Sequence, residues 1–187
     1  KEDNMPTIDL ECDGIVAENF VVSINRAHND DTNLAEALNS QLAISTLEDL
    51  PTNADTVTSA QVFYRGGVSA GKSTVAVDVK LLDSSGTMLV EEANNLSDTD
   101  LTTLSNTGVA TTTTAGDFTP AMVNDMRLQM KHAGNVFGTP VLQLEFIFVR
   151  VVYVEVVVVA AETYDSSANN IHCTLGNIHV KSGNILL

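Results

Sequence analysis

The residues whose types and spacing best suit chemistry run from Gly66 to Ser73, GGVSAGKS, which satisfies the pattern GxxxxGK[ST] at Gly66, Gly71, Lys72 and Ser73. In a phosphate-binding loop, backbone N–H groups cradle the phosphates, and the lysine and hydroxyl meet the terminal phosphates and Mg²⁺. That chemistry needs a helix directly after the loop. The following residues, TVAVDVKLL (74–82), alternate apolar and polar positions, which predicts a strand. We therefore interpret the motif as a Gly/Ser hairpin loop and expect no nucleotide cofactor.

Other groups that could bind a metal ion lack the necessary spacing. Asp98 with Asp100, and Asp30 with Asp31, lack the glycine and terminal glutamate of a calcium loop. The histidines form no HxH or HxxxH pair and are dispersed along the chain: His28, His132, His172 and His179. We expect neither a metal nor a cofactor, and we expect that the protein is not an enzyme.

Composition limits the partners of the protein. Lys and Arg total 9 against 24 Asp and Glu, a net charge of −15, and such a field repels phosphate backbones and anionic membrane surfaces. Nucleic acid is therefore not an expected partner. With 187 residues, 44% of them hydrophobic and arranged in alternating runs, the chain can bury one sizeable core.

The strongest hydrophobic run is LQLEFIFVRVVYVEVVVVAAETY, residues 142–164, rich in the β-branched and aromatic residues that favour strands. Alternate positions from Leu142 predict one apolar face interrupted only by Arg150. A single strand of this length would reach about 75 Å, so we expect a break near Arg150. As a transmembrane helix the run would place Arg150 and Glu155 near mid-bilayer, so no membrane span is expected.

The remaining patterns predict mostly short strands. An Asp13-Gly14 turn separates strands 7–12 and 15–25, and a capping box at Asn33 and Glu36 predicts a short helix. Strands 57–65 and 74–82 follow, the second with TMLVEE as its hairpin partner, and short edge strands occupy parts of 96–116. A helical turn runs from Thr119-Pro120 through Val123, with Thr as cap. Strand 126–131 turns three side chains inward: Met126, Leu128 and Met130.

These elements predict an all-β fold with one or two short helices, an antiparallel β-sandwich of the jelly-roll kind. We divide the chain into N-terminal strands and a short helix (1–42), a sandwich core (43–160) and C-terminal strands (161–187).

Three segments resemble a known β-sandwich domain: DLPTNADTVTSAQVFYRG (49–66), FTPAMVNDMRLQMK (118–131) and VRVVYVEV (149–156). The domain recurs in phage-associated and environmental bacterial structural proteins, where DLP…VTxVQV, WTPAxVNxLxVGV and VYVEV segments follow in this order. The resemblance covers roughly residues 43–159, with Phe118 where Trp is usual and an insert-like segment between Lys131 and Val149. It implies a structural, assembly-forming role without catalysis. The chain is also similar in character to extracellular fibre protomers that exchange a terminal strand.

We therefore expect a non-enzymatic structural subunit that forms a homopolymer, an extracellular or virion-associated fibre. The N-terminal segment 1–25 is the favoured exchanged strand, because Phe20, Val22 and Ile24 alternate, and segment 165–187 is the other choice. The alternative function is a carbohydrate-binding module, with Tyr64 and Tyr153 as stacking candidates.

Covalent features complete the prediction. Cys12 and Cys173 form a disulfide or are two buried free thiols, and we favour the disulfide because a bridge would stabilise a long closure. The tripeptide Asn95-Leu96-Ser97 is a candidate for N-glycosylation. A threonine run is a candidate for O-glycosylation: Thr111, Thr112, Thr113 and Thr114.

Overall fold

The computed structural model describes residues 5–31, 33–68, 74–97, 104–111, 118–134 and 141–156. Its ten strands are β1 (Thr7–Glu18), β2 (Ala35–Ala37), β3 (Leu42–Leu47), β4 (Ala54–Val68), β5 (Thr74–Leu82), β6 (Met88–Ser97), β7 (Leu104–Asn106), β8 (Ala110–Thr111), β9 (Arg127–Gly134) and β10 (Leu142–Glu155). A 3₁₀-helix covers Ile24–Ala27 and helix α1 covers Pro120–Asn124. The predicted all-β class is confirmed.

Antiparallel pairing joins the strands in the order β6-β5-β9-β3-β1-β10-β4-β7, with β2 beside β10 and β8 beside β4, as a nearly closed, barrel-like sheet. Strand β1 belongs to both halves of this sheet. Its residues 7–11 pair with β10, and residues 12–18 pair with β3. We call the strands around β10 and β4 the β10 half, and those from β3 to β6 the β5 half. The core lies between the two halves.

The change of partner along β1 occurs between Glu11 and Cys12, just before Asp13-Gly14, where a turn was expected. The structure has a register shift there instead, and a second one between Ile15 and Ala17, so the strand bends without reversing. Gly14 allows the close approach of β3, because a Cβ at this position would lie 2.6 Å from the Thr46 hydroxyl oxygen. The predicted turn is therefore wrong, and so is the strand beyond Glu18, where the 3₁₀-helix follows.

The helix predicted from Asn33 is also wrong. Residues 35–37 form strand β2, with Ala35 and Ala37 fully buried and Glu36 between them. The Gln143 side chain on β10 donates to the Glu36 carboxylate at 2.9 Å, so pairing with a distant strand overrides the local helical pattern. A tight turn containing Ser40 at φ 69° then leads into β3.

Other predictions from local patterns are confirmed. Strands β4, β5 and β9 lie where alternation placed them, and β6 is the hairpin partner of β5. Helix α1 begins after Thr119, whose side chain accepts a hydrogen bond from the Met122 N–H at 3.2 Å. The three inward residues are each 1% exposed: Met126, Leu128 and Met130.

Strand β10 differs from its prediction in two ways. It continues through Arg150 without the expected break, and a register shift between Leu144 and Phe146 exchanges its faces. Leu142 and Leu144 point to the core before the shift; Ile147, Val149 and Val151 do so after it. The predicted single apolar face is therefore wrong beyond Glu145. Residues 157–164 of the same run lie outside the described residues.

Within the ranges that the structure describes, the helices are too short and too polar to cross a bilayer.

Candidate functional site: a free sheet edge and an outer aromatic cluster

The exchange of faces in β10 creates a cluster on the outer side of the β10 half. We define the outer aromatic cluster as Phe63, Phe146 and Phe148 together with Arg65 and Arg150. Phe63 and Phe148 are direct partners on β4 and β10, and their rings stack with centroids 5.2 Å apart and planes at 7°. The Phe146 ring lies 5.2 Å from that of Phe148. Cross-strand aromatic pairs of this kind stabilise the two strands that carry them.

Each arginine of the cluster is held over a ring by acidic groups. The Arg150 guanidinium carbon lies 4.8 Å from the centre of the Phe63 ring, and its nitrogens donate to both Asp9 carboxylate oxygens at 2.7 Å. The hydrogen bonds to Asp9 raise the pKa of Arg150. The two charges therefore neutralise each other above an apolar surface.

Arg65 has the same role at the other end of the cluster, 5.8 Å from the centre of the Phe146 ring. Its guanidinium pairs with Asp30. The Arg65 Nε lies 3.1 Å from Glu145 Oε2, but this atom is buried without a well-directed hydrogen bond, so the contact is an ion pair only. Asp30 is thus engaged with an arginine, and Asp31 accepts hydrogen bonds from Asn33 at 2.7 Å.

The rings of the outer aromatic cluster pack on one another and on the two arginines. Phe148 is 4% exposed, between the Phe63 and Phe146 rings and Arg150. Tyr64 and Tyr153, the stacking candidates from the sequence, are buried. Burial, together with Glu155, raises the pKa of Tyr153. The sequence argument missed this cluster because the face of β10 changes at Glu145.

The phosphate-loop pattern begins inside strand β4. Gly66 is buried opposite Leu144 of β10, and strand β5 follows the loop as the sequence predicted. Gly71, Lys72 and Ser73 lie outside the described residues. A Cβ on Gly66 would lie 2.9 Å from the Gln143 carbonyl oxygen, so strand packing is enough to explain the glycine.

A buried polar cluster lies where β1 meets β3. The His28 Nε2 is 3.0 Å from the Ser45 hydroxyl, and both residues are buried. Burial lowers the pKa of His28, against the opposing effect of Glu18 and Asp13. Burial raises the pKa of the nearby Cys12 thiol to about 12, and Ser45 partly offsets the increase. The thiol is therefore protonated at neutral pH and unsuited to nucleophilic attack.

In protein kept reduced, we expect native Cys12 to react with iodoacetamide at pH 8 about a thousandfold more slowly than the same residue in urea. A thiol with a pKa of about 12 has almost no thiolate at that pH, whereas an ordinary thiol has a substantial fraction. Mass spectrometry of tryptic peptides over a time course gives the two rates. A native Cys12 that is alkylated as fast as the unfolded one would contradict its burial.

The same experiment tests the predicted disulfide. Cys12 is a free thiol in the structure, and Cys173 lies outside the described residues, so the bridge stays a prediction. In urea without a reductant, a Cys12–Cys173 bridge prevents labelling of both residues, and dithiothreitol restores it. Labelling of both thiols in urea alone would show that they are unbridged.

The residues predicted to form the exchanged strand pack within their own chain. Ile24 is 1% exposed, and Phe20 packs against the core. Val22 exchanges two backbone hydrogen bonds with Glu36, at 3.1 and 3.0 Å. Strand β1 itself pairs with β10 through its first half and with β3 through its second half. The N-terminal segment is therefore an integral part of the sheet.

The long edge strand of the sheet is β6. Its ten residues pair with β5 on one side and with no strand on the other, within the residues that the structure describes. The short strands β7 and β8 form the other edge, beside β4. The two edges lie close together, because a Cβ on Gly108 between β7 and β8 would meet Val90 of β6 at 3.6 Å. Exposed large hydrophobic residues border them: Met88, Leu104 and Val109.

The other candidate residues divide between the described and undescribed segments. Asn95 of β6 pairs with Ala76 of β5, and Thr111 of β8 pairs with Ser59 of β4. His132 is buried in β9, and its Nδ1 accepts a hydrogen bond from the Gly134 N–H at 3.1 Å. No metal-binding group of three His, Cys, Asp or Glu residues occurs in the described ranges. The remaining candidates lie outside them: Asp98, Asp100, Thr112, Thr113, Thr114, His172 and His179.

Comparison with known proteins does not assign the chain to a family. No protein-family model matches the chain, and no curated protein matches it significantly. Among solved structures, it is similar to an arabinose-bound α-L-arabinofuranosidase, with a TM-score of 0.38 and 11% sequence identity. That likeness covers 81% of this chain and 27% of the enzyme.

Proposed function

We propose that the protein is a non-enzymatic structural subunit that assembles with copies of itself by strand exchange, as an extracellular or virion-surface fibre. The observation that carries the proposal is strand β6, a ten-residue edge strand without a second partner in the described part of the chain. An unpaired edge of this length is a template for another strand, and adding one satisfies a row of backbone N–H and C=O groups.

Two further observations support an assembling protein. Exposed Met88, Leu104 and Val109 border the open edges, where an added strand would reduce their contact with water. The sheet halves that share β1 and enclose one core are also compatible with a jelly-roll sandwich, the architecture that we propose for the subunit.

The carbohydrate-binding alternative has less support. Sugar rings stack on exposed aromatic faces, but Tyr64 and Tyr153 are buried and the rings of the outer aromatic cluster stack on one another. We keep glycan binding and glycosylation at Asn95 or Thr111 only as outcomes to be checked, by a glycan array and by intact mass.

The edge itself can be tested with adjacent proline substitutions in β6, Glu92→Pro and Ala93→Pro. Successive N–H groups of a strand point to opposite sides, so only one of the two substitutions removes a hydrogen bond to β5. The other removes a donor from the free edge. We expect the variant that loses only a free-edge donor to keep the wild-type circular dichroism spectrum. The same variant should form no filaments in negative-stain images.

Two results would contradict the proposal. Wild-type protein that stays monomeric at all concentrations in sedimentation experiments would exclude a self-assembling subunit. Normal filaments from the well-folded proline variant would exclude β6 as the assembly edge while leaving self-assembly intact.

A further inference from the structure

We infer that residues 22–31 form an acid-sensitive clasp, held closed at neutral pH by the uncharged His28 imidazole and opened in mild acid. We use the word clasp for these ten residues, which include the 3₁₀-helix. The clasp packs against β1, β2 and β10 and buries Ile24 and Ala27 in the core. The inference goes beyond the proposed assembly and does not depend on it.

The clasp is held to the sheet by few polar contacts. Val22 exchanges two backbone hydrogen bonds with Glu36, and the Ile24 N–H donates to the Glu18 carboxylate at 2.9 Å. Asp30 forms an ion pair with an arginine of β4. Apart from the single bridge at Val22, the strand pairings of the described residues do not include the clasp. It can therefore open while the strands of the sheet stay paired.

His28 is the buried polar contact of the clasp. Its side chain is 3% exposed, and its Nε2 lies 3.0 Å from the hydroxyl of Ser45 on β3, which is also buried. The same hydroxyl forms a hydrogen bond with the Cys12 thiol of β1. A hydroxyl and a thiol satisfy an uncharged imidazole, but they do not balance a positive charge that has been removed from water. The closed clasp therefore favours the uncharged form of His28.

The charged groups around His28 only partly compensate for its burial. Glu18 and Asp13 of β1 raise the pKa of His28, but burial is the larger effect and lowers it below its ordinary value of 6.5. Strand β3, LAISTL, has no charged residue. Glu36 of β2 and Glu145 of β10 have partners of their own, in a hydrogen bond and an ion pair.

The direction of the pH dependence follows from this difference in pKa. The open clasp exposes His28 to water, so the open form takes up a proton at a higher pH than the closed form. As the pH falls below about 6.5, the opening equilibrium constant should rise by up to about tenfold per pH unit, until the closed form also binds the proton. Proton uptake elsewhere has the opposite effect, because it reduces repulsion within a chain of net charge −15. A local loss of protection therefore distinguishes His28 from the rest of the surface.

Hydrogen–deuterium exchange of the full-length protein, corrected for the intrinsic pH dependence of exchange, tests the clasp. Protection of peptides that cover residues 22–31 should fall about tenfold between pH 6.5 and pH 5.5. Peptides from the centres of β4 and β10 should keep their protection. The variant H28Q has a neutral polar side chain beside Ser45 and should lose the pH dependence. The control E18Q removes the other titratable group that holds the clasp and should keep it.

Each contrary result has a distinct meaning. Wild-type protein whose clasp keeps its protection at pH 5.5 would overturn the inference, whether or not H28Q folds. A pH dependence that persists in H28Q and disappears in E18Q would assign the effect to the Glu18 carboxylate instead of His28. An equal loss of protection in β4 and β10 would mean that acid unfolds the whole sheet, and the clasp would not be a separate device.

Discussion

Gly66→Ala should lower the free energy of unfolding by about 3 kcal/mol, at the upper end of the cost of overpacking a well-packed core. The new Cβ would lie 2.8 Å from a Leu144 methyl carbon and 2.9 Å from the Gln143 carbonyl oxygen. The second neighbour is backbone of the paired strand β10, so rotation of a side chain cannot relieve the contact. Urea denaturation followed by circular dichroism measures the change.

Gly108→Ala is the matched control, because its Cβ would meet Val90 at 3.6 Å, an ordinary contact distance. We expect this control to change stability by less than about 0.5 kcal/mol, as is usual for surface substitutions. If Gly66→Ala were as harmless as the control, strand packing would not explain the first glycine of the GxxxxGKS pattern. If Gly66→Ala abolished nucleotide binding without lowering stability, that result would support the phosphate-loop interpretation.

Phe148→Ala should cost about 3 to 5 kcal/mol, the usual range for truncating a buried phenylalanine. The ring is on the outer side of the sheet, yet it is covered by Phe63, Phe146 and Arg150. Val152→Ala, at a half-buried position four residues along β10, should cost much less. Thermal and urea unfolding of both variants measure the difference.

A double-mutant cycle isolates the stacking contribution. Phe63→Ala and Phe148→Ala should couple by about 0.5 to 1.5 kcal/mol, the range for aromatic pairs beyond their buried area. A coupling near zero would mean that the stacked arrangement, with centroids 5.2 Å apart, adds nothing to stability. A Phe148→Ala variant as stable as wild type would remove the structural role that we assign to the outer aromatic cluster. The cluster would then become the first surface to test for a ligand.

Strand β6, an edge strand in the described part of the chain, illustrates why function is harder to infer from sequence than fold. The sequence identified the β5–β6 hairpin correctly from its turn and alternation, but a strand's position at the edge depends on which other strands pair with it. Only the strand order showed that β1 is central and β6 lies at an end. Exchange of the N-terminal segment would therefore break the pairing of β1 with both β3 and β10.

The sequence by itself determined the positions of strands β4, β5 and β9, the inward side chains of β9, and the cap of helix α1 at Thr119. These features depend on neighbours within a few residues, through alternation and capping hydrogen bonds. Tertiary structure decided the rest. Register shifts in β1 and β10 depend on distant partners, and a single inserted residue exchanges the faces of a strand. For this reason Phe148 and Arg150, which alternation assigned to the core face, form part of the outer aromatic cluster.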